Sequence, residues 1–201
     1  MLHTIIVPGI GGSEYEHWQS WLQRQLPACS RVEQNDWKNP IIDDWVSNLL
    51  ATIDQVNSAV QIVAHSFGCL TSLRALHEHQ ALRLKVKHLT LVAPANPKRF
   101  SLTGYAHEVS ENMWQYFQNL NIHLQAQLLI SENDPWLDYQ DALQLSKAWK
   151  IKTTCLGQVG HINVASGFGP FPEIYEYILP AFGYKKPNVK DYSSLTAQYS
   201  I

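Results

Sequence analysis

Short apolar runs alternate along this chain with stretches whose apolar positions recur at helical spacing. Residues 2–7, with Thr4, Ile5, Ile6 and Val7 at their centre, end in the turn Pro8, Gly9, Ile10, Gly11, Gly12, Ser13. A β-branched run of this kind predicts a strand buried on both faces, and a glycine-rich turn directly after it predicts close approach of backbone to a ligand. Trp18, Trp21, Leu22 and Leu26 then share one face of a helix that Pro27 helps to end. A weaker strand over 31–34 precedes a helix with Trp45, Leu49, Ile53 and Val56 on one stripe and Asp43 or Asp44 near its positive N-terminal end. Val60, Ile62, Val63 and Ala64 make a third strand, and Leu70, Leu73 and Leu76 mark the helix after it. Further strands are predicted over 88–92, 126–130 and 152–156, with helices over 139–149 and 172–182. Between them Met113, Trp114, Tyr116, Phe117 and Leu120 suit a short amphipathic helix. This alternation predicts an α/β fold, a three-layer α/β/α sandwich on a sheet of about six mostly parallel strands.

Composition narrows the class. At 201 residues and 45% hydrophobic, the chain is long enough for one domain with a substantial core and short for two. A single domain over 1–183 is expected, followed by a polar tail over 184–201 that is partly mobile. Charged residues make up 16% and the net charge is −2, so no basic field exists to attract nucleic acid or anionic lipid. A small, nearly neutral substrate is the simpler expectation. Cys29, Cys69 and Cys155 lack metal-ligand spacing, and their odd number argues against a disulfide framework, which leaves buried free thiols in a reducing cytosol. No charged segment with an apolar core precedes the first strand, and no apolar run approaches membrane-spanning length. A soluble, cytoplasmic protein with no membrane partner is therefore expected; the pattern carries no information on oligomeric state.

Candidate chemistry falls at strand ends. An open parallel sheet places its ligand crevice beyond the carboxyl ends of its strands. Four features occupy such ends: the glycine turn after the first strand, Ser66 after the third, Asp134 after the fifth and His161 after the sixth. Ser66 lies where strand gives way to helix, in the pattern A-x-S-x-G formed with Ala64 and Gly68. Because S-x-G alone arises by chance about 0.7 times in a chain of this composition, two local readings stand. One is the nucleophile elbow, usually G-x-S-x-G; the other is a serine capping the helix. A serine hydroxyl attacks only when a base takes its proton, and an imidazole does so best when a carboxylate orients it. Ser66, Asp134 and His161 supply these groups in that order. Asp138 and Asp141 are alternative acids, both on or near the following helix. His65 adjoins Ser66 but points to the other side of the strand, which suits a structural role. His77 and His79 have H-x-H spacing without an acidic or cysteine ligand beside them, so they read as solvated helix-end residues rather than a metal pair. Trp37, with Asp36, is either a substrate contact or a packed loop anchor.

With serine, aspartate and histidine in this order, the chain resembles the α/β-hydrolases, and most closely the serine hydrolase family that includes retinoblastoma-binding protein 9 and its bacterial relatives. The resemblance spans about residues 2–182 and rests on the turn over 7–13, the His65, Ser66, Phe67, Gly68 elbow, the Asn133, Asp134, Pro135 loop and the Gly160, His161 turn. It implies a compact α/β-hydrolase fold with Ser66 as nucleophile, His161 as general base and then acid, and Asp134 as the orienting carboxylate. The backbone N–H groups of Ile10 and Phe67 would form the oxyanion hole. Ala64 and Pro8 depart from the wider superfamily, where glycine and histidine are frequent: the Ala64 methyl narrows the elbow slightly but is compatible with strand geometry, and Pro8 is acceptable because only the backbone after it donates. The implied reaction is acyl transfer to water: a serine hydrolase cleaving small carboxylic esters, or thioesters or activated amides, with no metal or organic cofactor. An acyltransferase or thioesterase using the same triad, and a non-catalytic protein-binding module on the same scaffold, are the alternatives. The connection over 93–123 is too short and too polar for a large lid, which favours small soluble esters. Gly9, Trp37, Trp114, Trp136 and Phe168 are candidates to contact substrate, the aromatic ones being equally suited to the core.

Overall fold

The computed structural model describes residues 2–101, 104 and 112–178. Its six strands are β1 (His3–Val7), β2 (Cys29–Arg31), β3 (Val60–Ser66), β4 (Val86–Pro94), β5 (Ala126–Ile130) and β6 (Lys152–Cys155). All neighbours pair in parallel, in the order β2-β1-β3-β4-β5-β6. Among the described residues five α-helices lie between them: α1 (Trp18–Gln25), α2 (Ile42–Asp54), α3 (Phe67–Glu78), α4 (Met113–Gln118) and α5 (Tyr139–Trp149). The order reverses between β1 and β3: β2 lies to one side of β1, and every later strand lies to the other. Crevices in open parallel sheets form at such a switch point.

Side-chain alternation assigns each strand residue to one of two cores. Ile5, Val7, Ile62, Ala64, Leu89 and Leu91 pack with Trp45, Leu49, Phe67, Leu70, Leu145 and Trp149 from α2, α3 and α5. Ile6, Val63, Val92 and Leu129 face the opposite side, against Trp18, Trp21 and Leu22 of α1 and Phe171 and Ile174. The central strands are buried on both faces, which explains why apolar residues stand side by side in them, as Ile62, Val63 and Ala64 do in β3 and Leu91, Val92 and Ala93 in β4. Gln19 is fully buried yet satisfied: its Nε2 donates to the carbonyls of Val7 at 3.2 Å and Val63 at 3.1 Å, and its Oε1 accepts from Ser13 Oγ at 2.7 Å. These bonds tie α1 and the turn after β1 to the sheet.

Several boundaries differ from the sequence pattern. The second strand lies at Cys29–Arg31 rather than 31–34, since pairing with β1 starts at Thr4 and Cys29. As an edge strand, β2 has no second apolar face to mark its position. In place of a helix over 172–182, a 3₁₀ turn runs over Pro172–Glu176, and residues 179–182 lie outside the described residues. The tail over 184–201 lies outside them too, as do 102, 103 and 105–111, on which much of the expectation about a lid falls. Cys69 is buried, but Cys29 is half-buried and Cys155 is exposed on the edge strand β6, contrary to the expectation of buried thiols. No helix among the described residues is long and apolar enough to cross a membrane.

Candidate active site

Ser66 ends β3, and α3 begins at the very next residue. So sharp a turn forces Ser66 to φ 54° and ψ −122°, a conformation that costs about 1–3 kcal/mol and persists only where the surroundings impose it. Here they do. Ser66 pairs with Pro94 across a register shift, and the Ala95 N–H donates to the Ser66 carbonyl at 3.1 Å. A Cβ on Gly9 would stand 2.6 Å from Ser66 Cβ, and one on Gly68 would overlap the Val7 carbonyl oxygen, so the end of β1, the serine and the first turn of α3 touch through glycine. The serine does not cap α3 with its side chain. Its Oγ lies instead 2.9 Å from His161 Nε2.

His161 Nδ1 lies 2.9 and 2.8 Å from the two carboxylate oxygens of Asp134. A carboxylate can only accept, so Nδ1 carries the proton and Nε2 is left to accept from the serine hydroxyl. The two side chains are 7% and 4% exposed, which keeps the pair out of bulk water. Asp134 Oδ1 also accepts from the Trp136 N–H at 2.8 Å. The loops carrying these residues are laced together: Asn133 Oδ1 accepts from the Gly160 N–H at 2.7 Å and from Ser131 Oγ at 3.0 Å, and Ser131 Oγ accepts from the Val159 N–H at 3.1 Å. Asp138 accepts from the Gln140 N–H at the start of α5, and Asp141 holds Lys98 with both oxygens. Neither is bonded to His161.

Behind His161 stands a row of imidazoles. His65 Nε2 donates to the His161 carbonyl at 3.0 Å, and the His65 ring centroid lies 4.9 Å from that of His161 and 4.9 Å from that of His17. Burial holds His65 well below the usual histidine range, aided by His161 and His17. His17 is lowered to about 4 by burial, with Arg31 and His161 adding to the effect. Both are therefore neutral at neutral pH. His17 Nδ1 accepts from the Gln19 N–H at 3.1 Å and so caps α1. The Trp18 indole donates to the Ile162 carbonyl at 2.8 Å, a second tether on the histidine loop.

The turn after β1 is held from outside. Arg31 donates to the carbonyls of Gly12 at 2.6 Å and Ser13 at 3.2 Å, while the Gly11 N–H donates to the Trp37 carbonyl at 2.9 Å. The Ile10 N–H has no hydrogen-bond partner among the described residues, and the Phe67 N–H belongs to the first turn of α3, whose donors have no acceptor within the helix. These amides follow Gly9 and Ser66, the two residues in contact, so both chains leave from beside the serine.

Ser66 and His161 open into a cleft of about 620 Å³. Of the residues singled out by sequence as substrate contacts, Trp136 lines it and Gly9 touches Ser66. Trp37, Trp114 and Phe168 do not line it. Trp37 packs against Gly12 and edge-on against Trp45 at 5.5 Å, which makes it the loop anchor; Trp114 lies under Lys98 at 4.3 Å, and Phe168 lies against Phe171 at 5.0 Å. In each case the indole or phenyl found more apolar surface in a core than in the cleft. The sequence reading missed Glu14, Lys38, Arg99, Asn163 and Val164, which do line it. Their signal was positional, since all belong to segments that follow strand C-termini. No group of three or more histidine, cysteine, aspartate or glutamate side chains among the described residues is placed to hold a metal ion, His77 and His79 included.

Known proteins place the chain among relatives. The pattern of the serine hydrolase family matches residues 4–179. YdeN of Bacillus subtilis, a protein assigned as a hydrolase, is 23% identical over 181 residues, which covers 88% of this chain and 94% of YdeN. Its crystal structure superposes with a TM-score of 0.68 at 20% identity, over 88% of this chain and 96% of that one. The crystal structure of a YdeN-like protein from Pectobacterium atrosepticum superposes with a TM-score of 0.73 at 28% identity, over 88% and 90%. The esterase domain of a Rhodothermus marinus protein shares the fold at 13% identity, with a TM-score of 0.60 over 83% and 81%. The chain thus belongs to the serine hydrolase family of the α/β-hydrolase superfamily, with YdeN-like proteins among its relatives.

Proposed function

We propose that this protein hydrolyses small carboxylic esters through an acyl-enzyme on Ser66. The observation that carries this reading is the unbroken path from Ser66 Oγ through His161 to Asp134, opening on the cleft. As Ser66 Oγ attacks the carbonyl carbon, its proton passes to His161 Nε2. The carbonyl oxygen gains negative charge and takes hydrogen bonds from the Ile10 and Phe67 N–H groups, donors that are set before the reaction begins. The imidazolium that forms lies against the Asp134 carboxylate, and because His65 and His17 are neutral they add no positive charge beside it. His161 then gives the proton to the departing alkoxide. Water repeats the sequence in reverse: His161 takes its proton, the hydroxide adds to the acyl-serine, and the acid leaves as Ser66 recovers its hydrogen. Thioesters and activated amides offer the same carbonyl with a competent leaving group.

The test is labelling with a fluorophosphonate probe, combined with turnover of a panel of p-nitrophenyl esters. Wild type is expected to be labelled at Ser66 and to turn over short-chain esters. Ser66→Ala should show no labelling and lose several orders of magnitude in rate, since triad members act as a unit. Folded wild type that resists the probe, or an alanine variant that retains full turnover, would overturn the reading.

A further inference from the structure

His65 and His17 each have one ring nitrogen that the fold uses and one that it does not. His65 Nε2 faces the His161 carbonyl, which can only accept, so Nε2 carries the proton and Nδ1 is a bare acceptor. His17 Nδ1 accepts from the Gln19 N–H, so the proton of the neutral ring is on Nε2, a donor. Neither remaining nitrogen has a hydrogen-bond partner among the described residues. Burial keeps both rings neutral at neutral pH, so protonation does not turn the acceptor into a second donor.

These two atoms belong to the cleft. The residues are 5% and 4% exposed, yet both help to line it together with Ser66 and His161, and neither free nitrogen is sealed inside the core. With ring centroids 4.9 Å apart, the donor and the acceptor stand on adjoining parts of one wall. Polar groups so nearly buried are as a rule paired. A hydroxyl is the smallest group that answers both, since its oxygen accepts from His17 while its hydrogen donates to His65. Charged groups fit less well: a carboxylate cannot donate to Nδ1, and an ammonium cannot accept from Nε2. A cleft of about 620 Å³ is of the size that encloses one small molecule, so an ester seated on Ser66 can reach this wall.

Resting on the ester-hydrolase reading, we propose that His17 Nε2 and His65 Nδ1 form a hydroxyl subsite, so that the preferred substrates are esters carrying a free hydroxyl a few bonds from the scissile carbonyl. The hydroxyl can lie on the acyl part or on the alcohol part, and two pairs matched in size separate these. The first is p-nitrophenyl 3-hydroxybutyrate, as each enantiomer, and p-nitrophenyl 3-methylbutyrate; the second is 2-hydroxyethyl butyrate and propyl butyrate. For each pair, kcat/KM is measured after subtraction of spontaneous hydrolysis, for wild type, His17→Asn and His17→Gln. The asparagine oxygen can still cap α1, but its amide stops short of the position of Nε2. The glutamine amide nitrogen reaches about as far as Nε2 while the cap is lost.

In at least one pair wild type should favour the hydroxyl member, and His17→Asn should lower the hydroxyl-to-methyl ratio by about tenfold, the scale of a hydrogen bond whose partner is left unpaired. Intrinsic reactivity cancels when the ratios of variant and wild type are compared. His17→Gln should keep most of the ratio. A purely structural role for His17 gives a different result: the loss then follows the cap, is greater in His17→Gln, and falls alike on both members of a pair. No preference in wild type for either pair, a ratio unmoved by His17→Asn, or equal loss of ratio in the two variants overturns the subsite. If no ester is turned over, the hydrolase reading fails by itself. In that case, or should a variant not fold, imidazole ¹⁵N spectra of Ser66→Ala decide the subsite. The hydroxyl ester of at least one pair should shift the His17 Nε2 and His65 Nδ1 resonances and its methyl counterpart should not; equal shifts, or none, refute it.

Discussion

His65 lies next to Ser66 in the chain, yet its work is done on His161. By donating to the His161 carbonyl and packing at a tilt against its ring, it sets where that imidazole stands. In the proposed mechanism it is therefore a positioning residue. His65→Leu is expected to cut both the fluorophosphonate labelling rate of Ser66 and ester turnover by about tenfold, turnover through kcat more than KM, because a small displacement of a base is enough to spoil its geometry. His65→Gln, which restores a donor at similar reach, should recover much of the loss; equal defects in variants of equal melting temperature would make His65 merely a core residue. Asp134→Asn tests the tautomer. The amide can donate to Nδ1 and so place the proton on Nε2, where it cannot accept from Ser66, and ester turnover at neutral pH should fall by roughly 10³–10⁴. A loss below tenfold would assign the orienting role elsewhere. Ser66, Asp134 and His161 were legible in sequence because each sits at, or within a few residues of, the carboxyl end of a strand. Trp37, Trp114 and Phe168 were not, because an aromatic side chain satisfies a core and a cleft equally well and nothing local distinguishes the two.

At the scale of elements, β5 and α5 fall on the residues the pattern marks, 126–130 and 139–149. Each is bounded by clear chemistry. Asp138 caps α5 through its bond to the Gln140 N–H, and the helix ends at Lys150 in the left-handed region, φ 55°. Glycine adopts that conformation without the clash that a Cβ introduces. Since Lys150 is exposed, Lys150→Gly should stabilise the fold by about 1 kcal/mol, read as a higher urea midpoint at unchanged m-value; destabilisation would mean that the C-terminal turn of α5 is set by something other than its cap. The short edge strand β2 and the 3₁₀ turns at Val164–Ser166 and Pro172–Glu176 were less legible. They have too few residues to show a period, and the turn at Val164–Ser166 is held by a capping box between Asn163 and Ser166 rather than by an apolar stripe.

For the whole molecule, the neutral histidines at its centre link stability to pH. In the unfolded chain His17 returns to about 6.5, whereas folded it lies at about 4. Between these values the unfolded state binds the extra proton, so stability is complete above about 6.5 and is lost as pH falls toward 4. For His17 the loss reaches roughly 3 kcal/mol, and His65, lowered in the same direction, adds to it. Protonation would also remove the Nδ1 acceptor that caps α1. Urea midpoints measured from pH 7.5 to pH 4 should therefore fall, and His17→Asn, which keeps a capping oxygen and cannot titrate, should flatten the fall. A midpoint independent of pH in wild type would show that these rings are solvated.

Periodicity and turn chemistry act over a few residues, so the alternation of strand and helix, the parallel α/β class and the placing of serine, aspartate and histidine at strand ends are all written locally in the chain. Long-range packing, by contrast, set β1 beside β3, so that Gly9 touches Ser66. It also decided that Asp134 rather than Asp138 or Asp141 meets His161, and that Arg99, Lys38 and Glu14 border the cleft. Ser66 and His161 are 95 positions apart in the chain. Their meeting depends on strand order and on which loops close over the switch point, a choice made by the burial of two cores at once and written in no single stretch of residues.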